Sequence, residues 1–371
     1  MKYNKNSEID QSFFENKKIL VTGGCGFIGS NLIRALLKKT NSYIFNIDKL
    51  SYASDSSGIN EIIKNKNFNP KSRYKLIKLD LANYELTKET VNAIKPDLIF
   101  NLAAESHVDR SIDNPSIFIS SNIIGTYNLL EATRKYYNEI KISKKKNFRF
   151  HHISTDEVYG SLGQGGYFSE NSPYMPRSPY SASKASSDHL VNSWFHTFGI
   201  PTLITNCSNN YGPWQFVEKF IPNVILKALS GNKIPIYGSG LNIRDWLFVE
   251  DHIDALLLVA SKGLIGSNYC IGGSNEKTNL AVCKDICRML SQISQNNLNY
   301  ENQIQFVTDR PGHDERYAIN SSKITRELDW EPRFSYEEGL NITVKWYMEN
   351  LKWCNYIQEK SGYEGERIGT E

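Results

Sequence analysis

Long apolar runs are missing from this 371-residue chain: the longest, Ala255–Ala260, is far too short to span a bilayer. The start, Met1–Phe14, is polar and lacks the apolar stretch of a secretory signal. Cysteine is sparse and scattered: Cys25, Cys207, Cys270, Cys283, Cys287 and Cys354 contain no C-x-x-C and no nearby histidine, so neither a zinc module nor a disulfide framework is expected. Excess charge is missing too, because 43 Lys and Arg against 40 Asp and Glu leave only +3. That balance gives no electrostatic case for nucleic acid or an anionic membrane. Together these absences predict a cytoplasmic protein with reduced thiols, no metal, no nucleic-acid or membrane partner, and a small-molecule ligand.

What is present is ordinary globular material, 40% apolar and 22% charged, long enough for a large two-part domain or two domains. Residues 1–16 read as a disordered extension. Apolar β-type runs then follow at Lys17–Thr22, Tyr43–Asp48, Tyr74–Asp80, Asp97–Ala103, Phe148–Ser154 and Pro201–Cys207. Helical patterns alternate with them at Phe27–Lys39, Glu85–Ile94, Pro115–Tyr137 and Ser181–Phe198. This is the pattern of an α/β protein with a Rossmann-type doubly wound parallel sheet over 17–208. Beyond Asn209 the rhythm shortens, with helices expected at Ile221–Leu229 and Asn279–Ile293. Segments 209–240, 263–316 and 334–353 are assigned to a smaller C-terminal substrate-binding domain. The chain is expected to return to the first domain near 241–262 and 317–333, with Ile243–Val249 as a strand of its sheet, and 354–371 reads as a polar tail.

The segment Lys18–Gly29 places a strand, then Gly23, Gly26 and Gly29, then a helix. The first glycine allows a tight turn, the second lets backbone approach a pyrophosphate, and the third lets helix pack on strand. Asp48, nineteen residues after Gly29 and at the end of the next run, can accept hydrogen bonds from an adenosine ribose and repel a 2′-phosphate. The pattern predicts NAD rather than NADP. Asp80, at the end of the third run, falls at the same edge.

Tyr180 and Lys184 are four residues apart at the start of a helix and share one face. A fixed cation beside a phenol favours the phenolate, so the pair can take a proton from an alcohol while a hydride leaves for a nicotinamide. Ser154-Thr-Asp-Glu157 follows the fifth run, where a parallel sheet exposes its site. Its two adjacent carboxyls can serve as acid and base at two atoms of one substrate, although the segment also fits a turn or helix cap.

These motifs, with Leu102–Ser111, His151–Gly160, Ser178–Ala185, Asn206–Pro213 and Asp309–Asp314, resemble the extended short-chain dehydrogenase/reductases. More narrowly, Thr-Asp-Glu directly before Val-Tyr-Gly resembles the dTDP-glucose 4,6-dehydratases, over about Lys17 to Trp353. The resemblance implies that Tyr180, assisted by Lys184 and Thr155, deprotonates the sugar 4-hydroxyl as C4 is oxidised by NAD. Glu157 then takes the C5 proton, Asp156 protonates the departing C6 hydroxyl, and the hydride returns at C6. It further implies that Phe27, Ile28, Asp48, Lys49, Asp80, Leu81, Ala103, Ser121 and Asn210 contact NAD. Ser106, Asn209, Lys219, Arg244, Arg310 and His313 would hold the nucleotide sugar, the guanidiniums suiting a diphosphate. Cys270 departs from the Asn of many relatives on the strand thought to approach the nucleotide.

Dehydration of UDP-glucose and 4-epimerisation of a nucleotide sugar stand as alternatives, the second disfavoured by Asp156 and Glu157. A non-enzymatic NAD-binding scaffold is disfavoured by the presence of both Tyr180 and Lys184. Apolar residues Ile119, Ile123, Leu129, Leu190, Trp194 and Phe195 on the two long helical segments, which the resembled family pairs in a four-helix interface, predict a homodimer.

Overall fold

A computed structural model describes residues 9–64, 70–295 and 298–363. Its strands are β1 (Lys18–Thr22), β2 (Tyr43–Asp48), β3 (Tyr74–Lys78), β4 (Leu98–Asn101), β5 (Arg149–Thr155), β6 (Thr202–Cys207), β7 (Asn209–Tyr211), β8 (Ile234–Tyr237), β9 (Ile243–Phe248), β10 (Asn268–Ile271), β11 (Glu276–Thr278) and β12 (Ile304–Val307). Seven of them form one parallel sheet in the order β10-β6-β5-β4-β1-β2-β3. Central strands such as β6 are buried at every position, as expected where helices cover both faces. On one face, helices Phe27–Lys39 and Val249–Lys262 bury Leu32, Leu36, Ile253 and Leu257 against Ile19 and Val21 of β1. On the other, helices Tyr84–Ile94, Gly125–Glu139 and Pro179–Phe198 bury Val91, Leu129, Leu130 and Val191 against Leu20 and Ile99. The strand order reverses between β1 and β4, so a crevice opens there at the C-terminal edge of the sheet.

The second lobe combines the three-stranded sheet β11-β9-β7 and the pair β12-β8 with helices Phe220–Leu229, Asn279–Ser294, Tyr336–Glu349 and Leu351–Ser361. Here β9 departs from expectation: it pairs with β7 and β11, and the strand that joins the main sheet is β10, beside β6. The reason lies in the alternation of β9. Trp246 and Phe248 enter the second core while Leu247 enters the first, so its apolar pattern serves both lobes.

Both ends also differ from the sequence reading. Residues 1–8 lie outside the described residues, but Gln11–Phe14 forms a helical turn that buries Phe14 completely in the first core. The 354–371 segment is not simply a polar tail, because Cys354, Ile357 and Tyr363 are buried in the second core; 364–371 lie outside the described residues. The expected helix over Pro115–Tyr137 is interrupted by a π-helical stretch, Ile119–Ile124. That wider turn brings Asn122 inward, where its amide bonds both the N–H (2.8 Å) and the C=O (3.0 Å) of Glu105.

Candidate active site

At the crevice, Gly23 has a φ of +68°, and a Cβ there would lie 2.8 Å from the backbone of Ala103. A Cβ on Gly29 would lie 2.3 Å from the Gly23 carbonyl. Only glycine permits the loop and helix to approach this closely. Gly26 caps the Phe27–Lys39 helix without a side chain, leaving first-turn residues Phe27, Ile28 and Gly29 on the wall of the cleft. Asp48 closes the far side, accepting hydrogen bonds from the Cys25 N–H (2.9 Å), the Leu50 N–H (2.8 Å) and Ser54 Oγ (2.9 Å). Lys49, on the same wall, is engaged by Glu105 Oε1 at 2.6 Å and Ser121 Oγ at 2.7 Å.

The same cleft continues to the end of β5. Thr155 accepts a hydrogen bond from the Glu157 N–H (3.3 Å) and starts a tight turn over Asp156–Tyr159, which places two adjacent carboxyls at the sheet edge. Burial, then repulsion from Glu157 and Asp245, holds the Asp156 carboxyl well above its ordinary value, with Arg244 only partly opposing. Its Oδ2 has no hydrogen-bond partner among the described residues. Glu157 is also raised by burial, but Arg310, Arg244 and Lys219 favour its carboxylate. The environments differ in kind: one favours a retained proton, the other a compensated negative charge.

Tyr180 lies in the first turn of the Pro179–Phe198 helix, which Ser178 starts with a reciprocal capping box. Burial and the Glu157 carboxyl push its phenol well above the ordinary tyrosine value, while a Thr155 hydrogen bond acts in the opposite direction. Lys184 shares the cleft, but its ammonium donates to the Ile153 carbonyl at 2.9 Å. It is therefore held by β5 rather than by the phenol.

The cleft collects Asp80, Leu81, Ala103, Ser106, Ser121, Asn209, Asn210 and Lys219 as well. Arg244, Arg310 and His313 do not line it. Arg244 donates to the carbonyls of Ile243 (2.7 Å) and Asp314 (3.0 Å), and Arg310 donates to Asp109 at 2.5 Å. His313 bonds Asp309 at 2.6 Å, and burial lowers it to about 4. Sequence reasoning missed Tyr52, Glu105, Gln215 and Glu218 on the wall. Tyr52 donates to Glu218 at 2.7 Å, and Arg110 grips the same carboxylate while stacking 3.9 Å from the Tyr52 ring centroid. Only the position of Glu105 within the quoted Leu102–Ser111 segment signalled any of them. Cys270 is fully buried beside Tyr159 (3.5 Å) in a small apolar cluster and is not on the cleft wall.

Fold and site together define a dinucleotide-binding enzyme of the extended short-chain dehydrogenase/reductase class, with an acidic pair added beside its Tyr and Lys. The chain matches the GDP-mannose 4,6 dehydratase family over residues 20–343. It is 49% identical over 359 residues to the dTDP-glucose 4,6-dehydratase of Neisseria meningitidis serogroup B, covering 95% of this chain and 99% of that protein. Among solved structures it resembles dTDP-glucose 4,6-dehydratase from Bacillus anthracis in complex with NAD, with TM-score 0.78, 41% identity, and coverage of 91% of this chain and 99% of that one. The Streptomyces venezuelae dTDP-glucose 4,6-dehydratase with NAD bound gives TM-score 0.81 at 36% identity, with the same coverage of both chains. The chain belongs to the dTDP-glucose 4,6-dehydratase family.

Proposed function

We propose that this protein dehydrates dTDP-glucose to dTDP-4-keto-6-deoxyglucose, using NAD that is regenerated within each turnover. The observation that carries the reading is the pair Asp156 and Glu157 beside Tyr180 and Lys184 in one cleft, because oxidation alone needs only the second pair. The cofactor fits this chain: a Cβ at Gly23 or Gly29 would collide with backbone, and Asp48 closes the ribose end of the cradle. When bound, NAD supplies the acceptor for a hydride from C4 and its return at C6.

The rest is done by side chains. Tyr180, as the phenolate that the Lys184 cation favours, takes the proton of the 4-hydroxyl, with Thr155 as its hydrogen-bonding neighbour. The C4 ketone acidifies C5–H, and Glu157, whose negative charge three cations compensate, removes that proton. Asp156, whose proton burial retains, delivers it to the C6 oxygen as water leaves. Phe27, Ile28, Lys49, Asp80, Leu81, Ala103, Ser121 and Asn210 hold the cofactor; Ser106, Asn209 and Lys219 hold the sugar nucleotide. Arg244, Arg310 and His313, grouped beyond the cleft wall, are assigned to the diphosphate, with Arg310 exchanging Asp109 for phosphate oxygen. An epimerase needs no acidic pair, which disfavours that alternative.

A homodimer completes the proposal. Leu129 belongs to the sheet core and Ile123, Leu190, Trp194 and Phe195 are half-buried, so the apolar side chains proposed to lead the pairing are Ile119 with Ile117, Ile124, Tyr127 and Phe198, all more than 40% exposed. Among the described residues no helix is long and apolar enough to cross a membrane, and six buried free thiols suit a cytoplasmic setting. The test is to incubate purified protein with dTDP-glucose and UDP-glucose separately and compare 4-keto-6-deoxy product. Faster turnover of dTDP-glucose supports the reading, and absence of product from it would overturn the reading.

A further inference from the structure

Behind Lys184, away from the cleft, lies a buried polar cluster that the mechanism above does not use. Asp188, one helical turn after Lys184, is fully buried, and His152 on β5 is 1% exposed. Asp188 Oδ2 accepts hydrogen bonds from Ser154 Oγ (2.8 Å), Tyr174 OH (2.9 Å) and Asn206 Nδ2 (3.2 Å). Its Oδ1 is 3.2 Å from His152 Nε2, and the Lys184 ammonium is 3.4 Å from that same nitrogen. Despite burial, the His152 ring, then the Lys184 ammonium and the Ser154 hydroxyl, hold Asp188 below its ordinary value.

The hydrogen-bond order fixes the histidine. The Ala103 N–H, at the cleft wall, donates to Thr22 Oγ1 (3.2 Å), and the Thr22 hydroxyl donates to Asn101 Oδ1 (2.7 Å). The Asn101 amide nitrogen must then donate to His152 Nδ1 (3.0 Å). Nδ1 is thereby an acceptor and the proton of the neutral ring sits on Nε2, 3.2 Å from Asp188 Oδ1, so the Lys184 ammonium, a donor only, is near that nitrogen without bonding it. Burial, with Lys184 nearby, lowers His152 to about 4, so the ring is neutral at working pH.

A lysine buried to this degree sheds its proton unless a fixed anion opposes the loss. The groups facing Lys184 are Asp188 and Tyr180 on its own helix, His152 on β5 and Cys207 on β6. Burial raises the Tyr180 phenol and the Cys207 thiol, so neither is a standing anion before substrate arrives, and His152 is neutral. The carboxylate of Asp188 is the fixed charge that remains. Tyr174, also facing Asp188, keeps its proton through burial, and its ring touches His189.

We infer that Asp188, with His152 as spacer, is the positioning residue that keeps the Lys184 ammonium charged and aligned behind Tyr180. The inference rests on the proposed role of Lys184, but it is tested without turnover. In protein carrying 13C-labelled lysine, the Lys184 signal is assigned by its loss in Lys184→Arg and titrated in the intact enzyme. Asp188→Asn keeps the shape and removes the charge, and its Lys184 midpoint should fall by about one pH unit or more. Tyr174→Phe removes a donor that shares the Asp188 charge, so its midpoint should rise. With turnover, the alkaline limb of kcat should move down in Asp188→Asn by the same amount. An unmoved Lys184 midpoint in Asp188→Asn would overturn the inference. If that variant does not fold, Tyr174→Phe decides: a rise supports it, and no movement or a fall overturns it. Wild-type protein that titrates as expected yet makes no product from dTDP-glucose would refute the proposed function alone.

Discussion

Arg310, on the loop that follows β12, donates to Asp109 of the main domain at 2.5 Å, and both side chains are largely buried. The pair bridges the two lobes where the diphosphate is proposed to bind. Removing one partner of such a pair leaves a buried charge uncompensated, at a cost of about 3–5 kcal/mol. Asp109→Asn is therefore expected to lower the unfolding midpoint, and dTDP should restore more of that loss than it adds to the unmodified protein. Thermal unfolding with and without dTDP measures both; equal ligand shifts in the two proteins would contradict the assignment of Arg310.

Asp156 exchanges stability for chemistry. Its carboxyl in the folded protein binds its proton more tightly than in the unfolded chain, where the value is about 4. Its stabilising effect is fully present below that value and is lost as pH rises toward the folded one. Asp156→Asn should consequently be more stable than the unmodified protein at neutral pH, by about 1 kcal/mol or more, with the gap shrinking toward pH 4. Denaturant unfolding across pH 4–8 checks the sign, and dehydration should be lost in the same variant.

Cofactor choice follows from Asp48 and Lys49. With Lys49 engaged by Glu105 and Ser121, no cation from this loop is turned toward a 2′-phosphate, while Asp48 lines the cleft. NAD should reconstitute cofactor-stripped protein and NADP should do so poorly, weakened by like-charge repulsion of about 2 kcal/mol or more. Asp48→Asn should narrow that gap; equal reconstitution of the unmodified protein would refute the role of Asp48.

The pairing surface is equally open to test. Ile124→Glu and Tyr127→Glu place charge on exposed apolar positions. Light scattering should give twice the 42.4 kDa chain mass for the unmodified protein and a shift toward monomer in the variants. A single-chain mass for the unmodified protein at micromolar concentration would remove the dimer.

Much of this architecture was readable because buried parallel strands are continuous apolar runs, and β1 to β6 coincide with such runs to within three residues at each end. The fate of β9 was not, since alternate side chains of one strand feed two cores and periodicity carries no label for either. The helix Leu351–Ser361 was hidden for another reason: Cys354 and Ile357 are a thin apolar stripe on an otherwise polar segment. In the site, Gly23, Asp48, Asp156, Glu157, Tyr180 and Lys184 were legible because their chemistry depends on local spacing. Asp188 was not, because an aspartate among helical serines reads as solvated surface; only the fold sets it against His152 and β5. Glu218 and Tyr52 were likewise invisible, being 166 residues apart in sequence.

The central claim is that one cleft oxidises C4 with Tyr180 and eliminates water across C5 and C6 with Glu157 and Asp156. Its most direct test is a single turnover of dTDP-glucose in D2O by Glu157→Gln and by Tyr180→Phe, following reduced-nicotinamide absorbance and deuterium at C5. The account predicts that Glu157→Gln retains the absorbance signal and loses deuterium incorporation, whereas Tyr180→Phe loses both. Equal loss of both signals in the two variants would contradict it.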